Sequence, residues 1–197
     1  MENQSVSEII CILDKSGSMG SLQHETIAGL NQFIADQKKE EGFCNFTLVQ
    51  FNQDVVPTIR RQPIQMVPEL TFRSYQPNGY TALLDAVGTT LNTAIETQFL
   101  LPKEQQPDKV LVFIITDGME NASRKFTKSQ IEQLIKSLSV DKGWEFQFFG
   151  ANIDAFGEAQ AIGIDKEKAY NWVYSKEGVG EMMSEMSIKS SSFRKSK

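Results

Sequence analysis

Short, nearly continuous apolar runs alternate along this chain with stretches whose apolar residues recur every three or four positions. Ile9-Ile10-Cys11-Ile12-Leu13 and Val110-Leu111-Val112-Phe113-Ile114-Ile115 are the strongest runs. A run with no polar alternation predicts a strand buried on both faces of its sheet. Phe43 to Phe51 and Phe146 to Phe149, the latter ending at Gly150, predict two further strands. Val55 to Arg61 follows the second strand after Asn52-Gln53-Asp54, a turn of hairpin length, so the pair reads as antiparallel. Pro57 confines Val55–Arg61 to a sheet edge, because proline has no N–H for a second neighbour.

The helical stretches fall between these runs. Leu22, Ile27, Leu30, Phe33 and Ile34 share one helical face. Leu83, Leu84, Val87, Leu91 and Ile95 share another, in a helix that Thr81 opens. Further helices are predicted from about Lys128 to Leu138, over Ala155 to Ala161, and around Met182, Met183 and Met186, with a short strand at Ala169 to Val173. Pro63 to Asn78 holds three prolines and reads as loop. Strands alternating with amphipathic helices give an α/β fold: a doubly wound, Rossmann-like open sheet, mostly parallel, with one antiparallel edge strand and helices on both faces. Ligands in such sheets bind beyond the carboxyl ends of the strands.

Composition changes this picture little. With 197 residues, 40% hydrophobic and 23% charged, the chain fits one globular domain. Residues 1–186 read as that domain. From Ser187 the chain turns serine-rich and carries Lys189, Arg194, Lys195 and Lys197 with no acid, so 187–197 reads as a basic, disordered tail. The net charge of −5 disfavours nucleic acid and anionic membranes as partners. Two cysteines, Cys11 and Cys44, without metal-ligand spacing suggest a reducing compartment. The polar, acidic N-terminus carries no export or lipidation signal, and no run is long enough for a membrane span. A cytoplasmic location is the expectation.

The polar residues of interest fall at the strand ends. Asp14, Ser16 and Ser18 follow the first apolar run, and Asp117 follows the strongest one. Asp14 and Asp117 meet if their strands are neighbours. Asp154 lies just past the Phe146–Gly150 strand, and Glu120 and Asn121 follow Asp117. Two aspartates among hydroxyls, with no histidine or cysteine nearby, suit a hard cation such as Mg²⁺, which takes oxygen ligands. Alternate positions let Asp14, Ser16 and Ser18 point the same way, and Gly17 lets the loop turn tightly. The bland alternative is that Ser16, Ser18 and Thr81 are helix N-caps and that Asp117-Gly118 is a turn.

Asp14-Lys-Ser16-Gly-Ser18 resembles the Asp-x-Ser-x-Ser motif of von Willebrand factor A domains. Gly79-Tyr-Thr81 resembles their Gly-x-Thr segment, and Thr116-Asp117-Gly118 their Thr-Asp-Gly motif. The three segments stand in the family's order, and the resemblance covers about residues 6 to 185. It implies a metal-ion-dependent adhesion site in which Ser16, Ser18 and Thr81 bind Mg²⁺ (Mn²⁺ being an alternative) through hydroxyls. Asp14 and Asp117 would support it through waters or hydrogen bonds. It implies a protein-binding module, not an enzyme: the metal takes an exposed Glu or Asp of a partner. By position, Glu120, Asn121 and Asp154 are candidates for the partner-binding rim, with a merely solvated loop the favoured alternative for Glu120 and Asn121. Small cytoplasmic members often work beside ATPases of the AAA class. The alternative is a Mg²⁺-dependent phosphoryl-transfer enzyme using Asp14 and Asp117. Against it, the second position of a phosphatase Asp-x-Asp loop is Ser16 here, the single histidine, His24, has no plausible triad, and Walker and dinucleotide glycine motifs are absent.

Overall fold

A computed structural model of the chain describes residues 5–196. Six strands form one sheet in the order β3-β2-β1-β4-β5-β6. They are β1 (Val6–Asp14), β2 (Phe43–Phe51), β3 (Val55–Pro63), β4 (Lys109–Thr116), β5 (Glu145–Gly150) and β6 (Ala169–Asn171). Every pairing is parallel except β2 with β3. The two runs without polar alternation occupy the middle of the sheet, where both faces are covered. Leu13 of β1 pairs with Ile115 of β4.

The pleat divides the core. Ile9, Cys11 and Leu13, with Leu111, Phe113 and Ile115, face one side. There they meet α1 (Gln23–Lys39) and α5 (Lys176–Lys195) through Leu30, Phe33, Val179, Met182 and Met186. Ile10, Ile12, Val112 and Ile114 face the other side. That side is covered by α2 (Leu83–Leu100), α3 (Lys128–Lys142) and α4 (Ala155–Ala161). Burying such side chains supplies the main favourable term in folding. The methionines of α5 are core packing, as Met182, Met183 and Met186 are all buried. Both cysteines are free and buried, and burial pushes the Cys11 thiol up to about 12, so it is an inert apolar group.

The local signals explain where the helices begin and end. Thr127 and Gln130 form a capping box at the start of α3. The expected end at Leu138 falls one turn short, because the helix runs on to Gly143, which ends it with φ of +64°. The second helix starts at Leu83, not at Thr81. The clearest correction concerns the C-terminus. In place of a disordered tail from Ser187, α5 continues to Lys195 with Ser190 and Phe193 buried. The Val179, Met182, Met183, Met186, Ser190, Phe193 spacing is helical throughout, and serine occupies a core-facing position where small size suffices. Lys197 lies outside the described residues. Among those residues, no helix is long and apolar enough to cross a membrane.

β1 leads into β2 on one side, whereas β4 lies on its other side. The strand order therefore reverses between β1 and β4, the position where open α/β sheets leave a crevice for ligands. Asp14 ends β1, and Asp117 directly follows β4.

A hydroxyl and carboxylate cradle at the sheet crevice

Three loops converge on this crevice: 14–22, which leaves β1; 78–82, which leads into α2; and 116–123, which leaves β4. They are tied by backbone hydrogen bonds. Gly17 donates to Gly79 O (3.1 Å), Asn78 donates to Lys15 O (2.8 Å), and Asn121 donates to Thr81 O (3.0 Å). Gly79 takes φ of +78°, which a side chain would strain. All five residues expected from the sequence to hold a metal lie in these loops.

The carboxylates sit at the bottom. Asp14 and Asp117 are 0% and 2% exposed. Asp14 Oδ1 accepts from Ser16 N (2.6 Å) and Oδ2 from the Thr116 hydroxyl (2.7 Å). Asp117 Oδ1 accepts from Ser18 Oγ at 2.7 Å, while its Oδ2 is buried without any hydrogen-bond partner. Above them lie the hydroxyls. Ser16 Oγ and Ser18 Oγ are 3.1 Å apart. A Cβ added at Gly118 would sit 3.5 Å from Thr81 Oγ1 and 3.9 Å from Ser18 Oγ, so two of the three hydroxyls border the space over this glycine. The N-cap alternative does not describe them. Ser16 stands at the N-cap of the 3-10 turn Gly17–Leu22 yet makes no side-chain cap bond, Ser18 lies inside that turn, and Ala82 is the N-cap of α2.

The electrostatics of the cradle are one-sided. Burial pushes Asp14 up to about 6, against the opposing hydrogen bonds from Thr116 and Ser16, and the nearby Asp117 charge adds to the rise. Burial raises Asp117 as well. Tyr75, fully buried, donates its phenol to Asp14 O at 2.7 Å and is held well above its ordinary range by burial and by both carboxylates. None of the ion pairs among the described residues includes Asp14 or Asp117. Two adjacent buried carboxylates without a counter-charge are costly. Among the described residues no cluster of three or more His, Cys, Asp or Glu side chains has the makings of a metal site. The donor set here is two carboxylates and three hydroxyls, all oxygen, and it fits a small hard cation better than a soft one. The orphaned Asp117 Oδ2 and the uncapped hydroxyls are the groups such an ion would satisfy.

Of the residues expected to form a partner-binding rim, Asn121 and Asp154 are exposed and Glu120 is half-buried, and each also accepts hydrogen bonds from the protein. Glu120 takes both its oxygens into the protein: Oε2 accepts from Leu84 N (3.0 Å) and Ser123 Oγ (2.7 Å), and Oε1 from Ala122 N (2.9 Å) and Ser123 N (2.7 Å). Asn121 Oδ1 accepts from Thr81 N at 2.9 Å. Asp154 caps α4 by accepting from Gly157 N at 3.0 Å. Asp85 completes the clasp, accepting backbone N–H groups from Arg124, Lys125 and Phe126 at 2.8–3.0 Å. Glu120, Asn121 and Asp85 thus lock the loop bearing Asp117 to the helix start bearing Thr81. Sequence reasoning missed this clasp, as well as Tyr75 below the cradle and Tyr174, whose hydroxyl donates to Ser18 O. An acid three to four residues past a motif residue, such as Glu120 and Asp85, was the available signal.

No protein-family model matches this chain, and no curated protein matches it. Solved structures do. A mussel byssus thread matrix protein, described with a zinc-occupied MIDAS motif, superimposes with a TM-score of 0.65 at 16% identity, over 92% of this chain and 47% of that one. The vWF domain of the type V pilus tip protein Mfa5 from Porphyromonas gingivalis gives 0.69 at 9% identity, over 98% of each chain. The manganese-loaded TRAP protein of Plasmodium vivax gives 0.60 at 16% identity, over 92% of this chain and 72% of that one. The chain spans about half the length of the mussel structures it matches. At these identities the likeness shows the fold.

Proposed function

We propose that this chain, whose fold is that of von Willebrand factor A domains, is a metal-dependent protein-binding module. Ser16, Ser18 and Thr81 would hold Mg²⁺ or Mn²⁺, with Asp14 and Asp117 behind them, and a Glu or Asp of a partner protein would complete the site. The single observation that carries this reading is Asp117 Oδ2, a buried carboxylate oxygen with no partner, beside hydroxyls that cap no helix. Neutral hydroxyl donors leave a bound cation its charge, and with it an affinity for an incoming carboxylate. The metal-occupied state described for the mussel and Plasmodium structures supports a divalent ion here.

The same geometry argues against catalysis. Both Asp14 oxygens are taken by Ser16 and Thr116, so Asp14 is not presented as a nucleophile, and the one free carboxylate oxygen, Asp117 Oδ2, is buried. His24, at the start of α1, is exposed with its ring 6.0 Å from Phe72, and among the described residues no hydrogen bond links it to Asp14 or Asp117. The two reduced, buried thiols support a cytoplasmic setting, and a cytoplasmic ATPase of the AAA class is a candidate partner on the strength of the family resemblance.

Calorimetry with Mg²⁺ and Mn²⁺ tests the metal, and partner capture with and without chelator tests the module. The expected result is metal binding that Ser16→Ala and Asp117→Ala abolish, and capture that chelator removes. Absence of any Mg²⁺ or Mn²⁺ heat would refute the reading. Glu120→Ala tests the clasp. It leaves Leu84, Ala122 and Ser123 N–H groups without their acceptor and loosens the seat of Thr81. Supporting residues of metal sites are worth about 10–100-fold in affinity, and a loss at the lower end is expected, with Glu120→Gln in between. Unchanged affinity in Glu120→Ala would show that the clasp does not position Thr81.

A further inference from the structure

Beside the cradle runs a groove of about 990 Å³ that no part of the proposed metal site uses. Its walls are the β2–β3 turn (Gln53, Asp54), the approach to α2 (Tyr80) and the loop after β4 (Asn121, Arg124, Lys125). It starts at the metal cradle itself, because Tyr80 precedes Thr81 and Asn121 accepts from Thr81 N. Two large side chains stand exposed in these same loops, Tyr80 at 70% and Met119 at 66%.

The groove lining pairs two acids, Asp54 and Asp85, with two bases, Arg124 and Lys125, and what it offers a ligand depends on which of them are already engaged. The carboxylates of Asp85 and Glu120 have both oxygens taken by inward hydrogen bonds. Both keep their negative charge, but their oxygens are turned onto backbone N–H groups and, in Glu120, also onto the Ser123 hydroxyl. Arg124 and Lys125 are exposed, and neither side chain is part of an ion pair among the described residues. Their backbone N–H groups turn inward to Asp85, which fixes the segment that presents the two side chains. Asp54 is the one wall acid left free. A chain of net charge −5 thus puts a pair of unpaired bases beside its proposed metal.

We infer that the partner presents an extended acidic segment, in which one carboxylate completes the metal site and further acids lie in the groove against Arg124 and Lys125, with an apolar side chain against Tyr80 and Met119. This rests on the metal-dependent reading above and adds the class of partner. Opposite charge at a rim chiefly speeds and selects association, and aromatic groups such as Tyr80 supply contact area at low entropic cost.

Two fluorescein-labelled 12-residue peptides in a Gly-Ser background test it by anisotropy on the full chain, in Mg²⁺ and in EDTA. One carries a single Glu; the other carries that Glu followed by three more and a Leu. The acid-rich peptide is expected to bind about tenfold more tightly in Mg²⁺ and to lose that advantage in 0.5 M salt. Arg124→Glu with Lys125→Glu should erase the advantage, weakening the acid-rich peptide far more than the single-Glu one. Lys103→Glu with Lys166→Glu, the same charge change outside the groove, should alter neither. Equal affinity of the two peptides, an advantage that survives Arg124→Glu with Lys125→Glu, or no binding of the acid-rich peptide at millimolar concentration would overturn the inference. Displacement by a dT12 oligonucleotide at equal potency would also overturn it, by assigning the groove to phosphates. The metal reading is scored separately, by Mg²⁺ calorimetry on the unliganded chain, so the two fail independently.

Discussion

Asp14→Asn is expected to stabilise the metal-free protein while abolishing its response to Mg²⁺. The argument begins with the buried charge. Burial lifts the Asp14 carboxyl from 3.8 to about 6. The folded state therefore holds that proton more tightly than the unfolded chain does. Below about pH 4 the group is protonated in both states and costs nothing. As pH rises from about 4 to about 6 the unfolded chain ionises freely and the folded protein does not, so stability is lost. Above about 6 the folded protein carries the charge at a cost of about 3 kcal/mol. Asn removes the charge and keeps the shape. Its oxygen still accepts from Ser16 N, and its amide donates to the Thr116 hydroxyl, which turns its own proton to Gly118 O, 3.1 Å away. In EDTA at pH 7 the variant should melt roughly 6–12 °C above the wild type, given about 2–4 °C per kcal/mol for a chain of this size. The gap should close by about pH 4. In saturating Mg²⁺ the wild type should gain stability by mass action and the variant should not. Thermal melts over pH 4–7, with and without Mg²⁺, read all of this. A variant that melts with or below the wild type in EDTA at pH 7 would show that Asp14 carries no uncompensated charge.

This sign is the opposite of what a purely structural pair of aspartates would give. Asp14 and Asp117 end the two most apolar strands, where a folding argument alone would favour turn residues without buried charge. The apolar runs were legible because both faces of β1 and β4 are covered, and the edge position of β3 was legible from Pro57. The cradle was legible because its residues lie at strand ends in three short, ordered segments. Its support was not. Glu120, Asn121 and Asp85 act through backbone N–H groups that only the folded loops bring within reach, so in sequence they look like any solvated acids and amides near a loop. The same blindness produced the error at the C-terminus. Serine-rich, basic composition indicates disorder on average, yet composition does not reveal whether a basic side chain has backbone acceptors waiting for it.

Arg194 has four. Its guanidinium donates to Gln37 O (2.7 Å), Glu40 O (3.3 Å), Glu41 O (3.0 Å) and Gly42 O (3.1 Å), carbonyls of the last turn of α1 and of the turn that follows it. Lys109 reciprocates, donating to the α5 carbonyls of Phe193 (3.0 Å) and Arg194 (3.3 Å). The two helix ends are thus closed by cations, where the helix dipole favours positive charge, and the buried Phe193 is held between them. Hydrogen bonds to a charged group are worth about 1.5–3 kcal/mol where buried. Arg194 is only half-buried, so Arg194→Ala is expected to cost about 2 kcal/mol in all, read by urea denaturation, with faster amide exchange confined to residues 187–195 and the end of α1. Arg194→Lys should recover less than half, because an ammonium lacks the planar fork that reaches several carbonyls at once. Mg²⁺ affinity should stay unchanged, since these helix ends lie at the opposite end of the sheet from the cradle. An Arg194→Ala protein as stable as the wild type, or wild-type trypsin cleavage at Lys189 as fast as in urea, would return this segment to the disordered tail that its composition suggests.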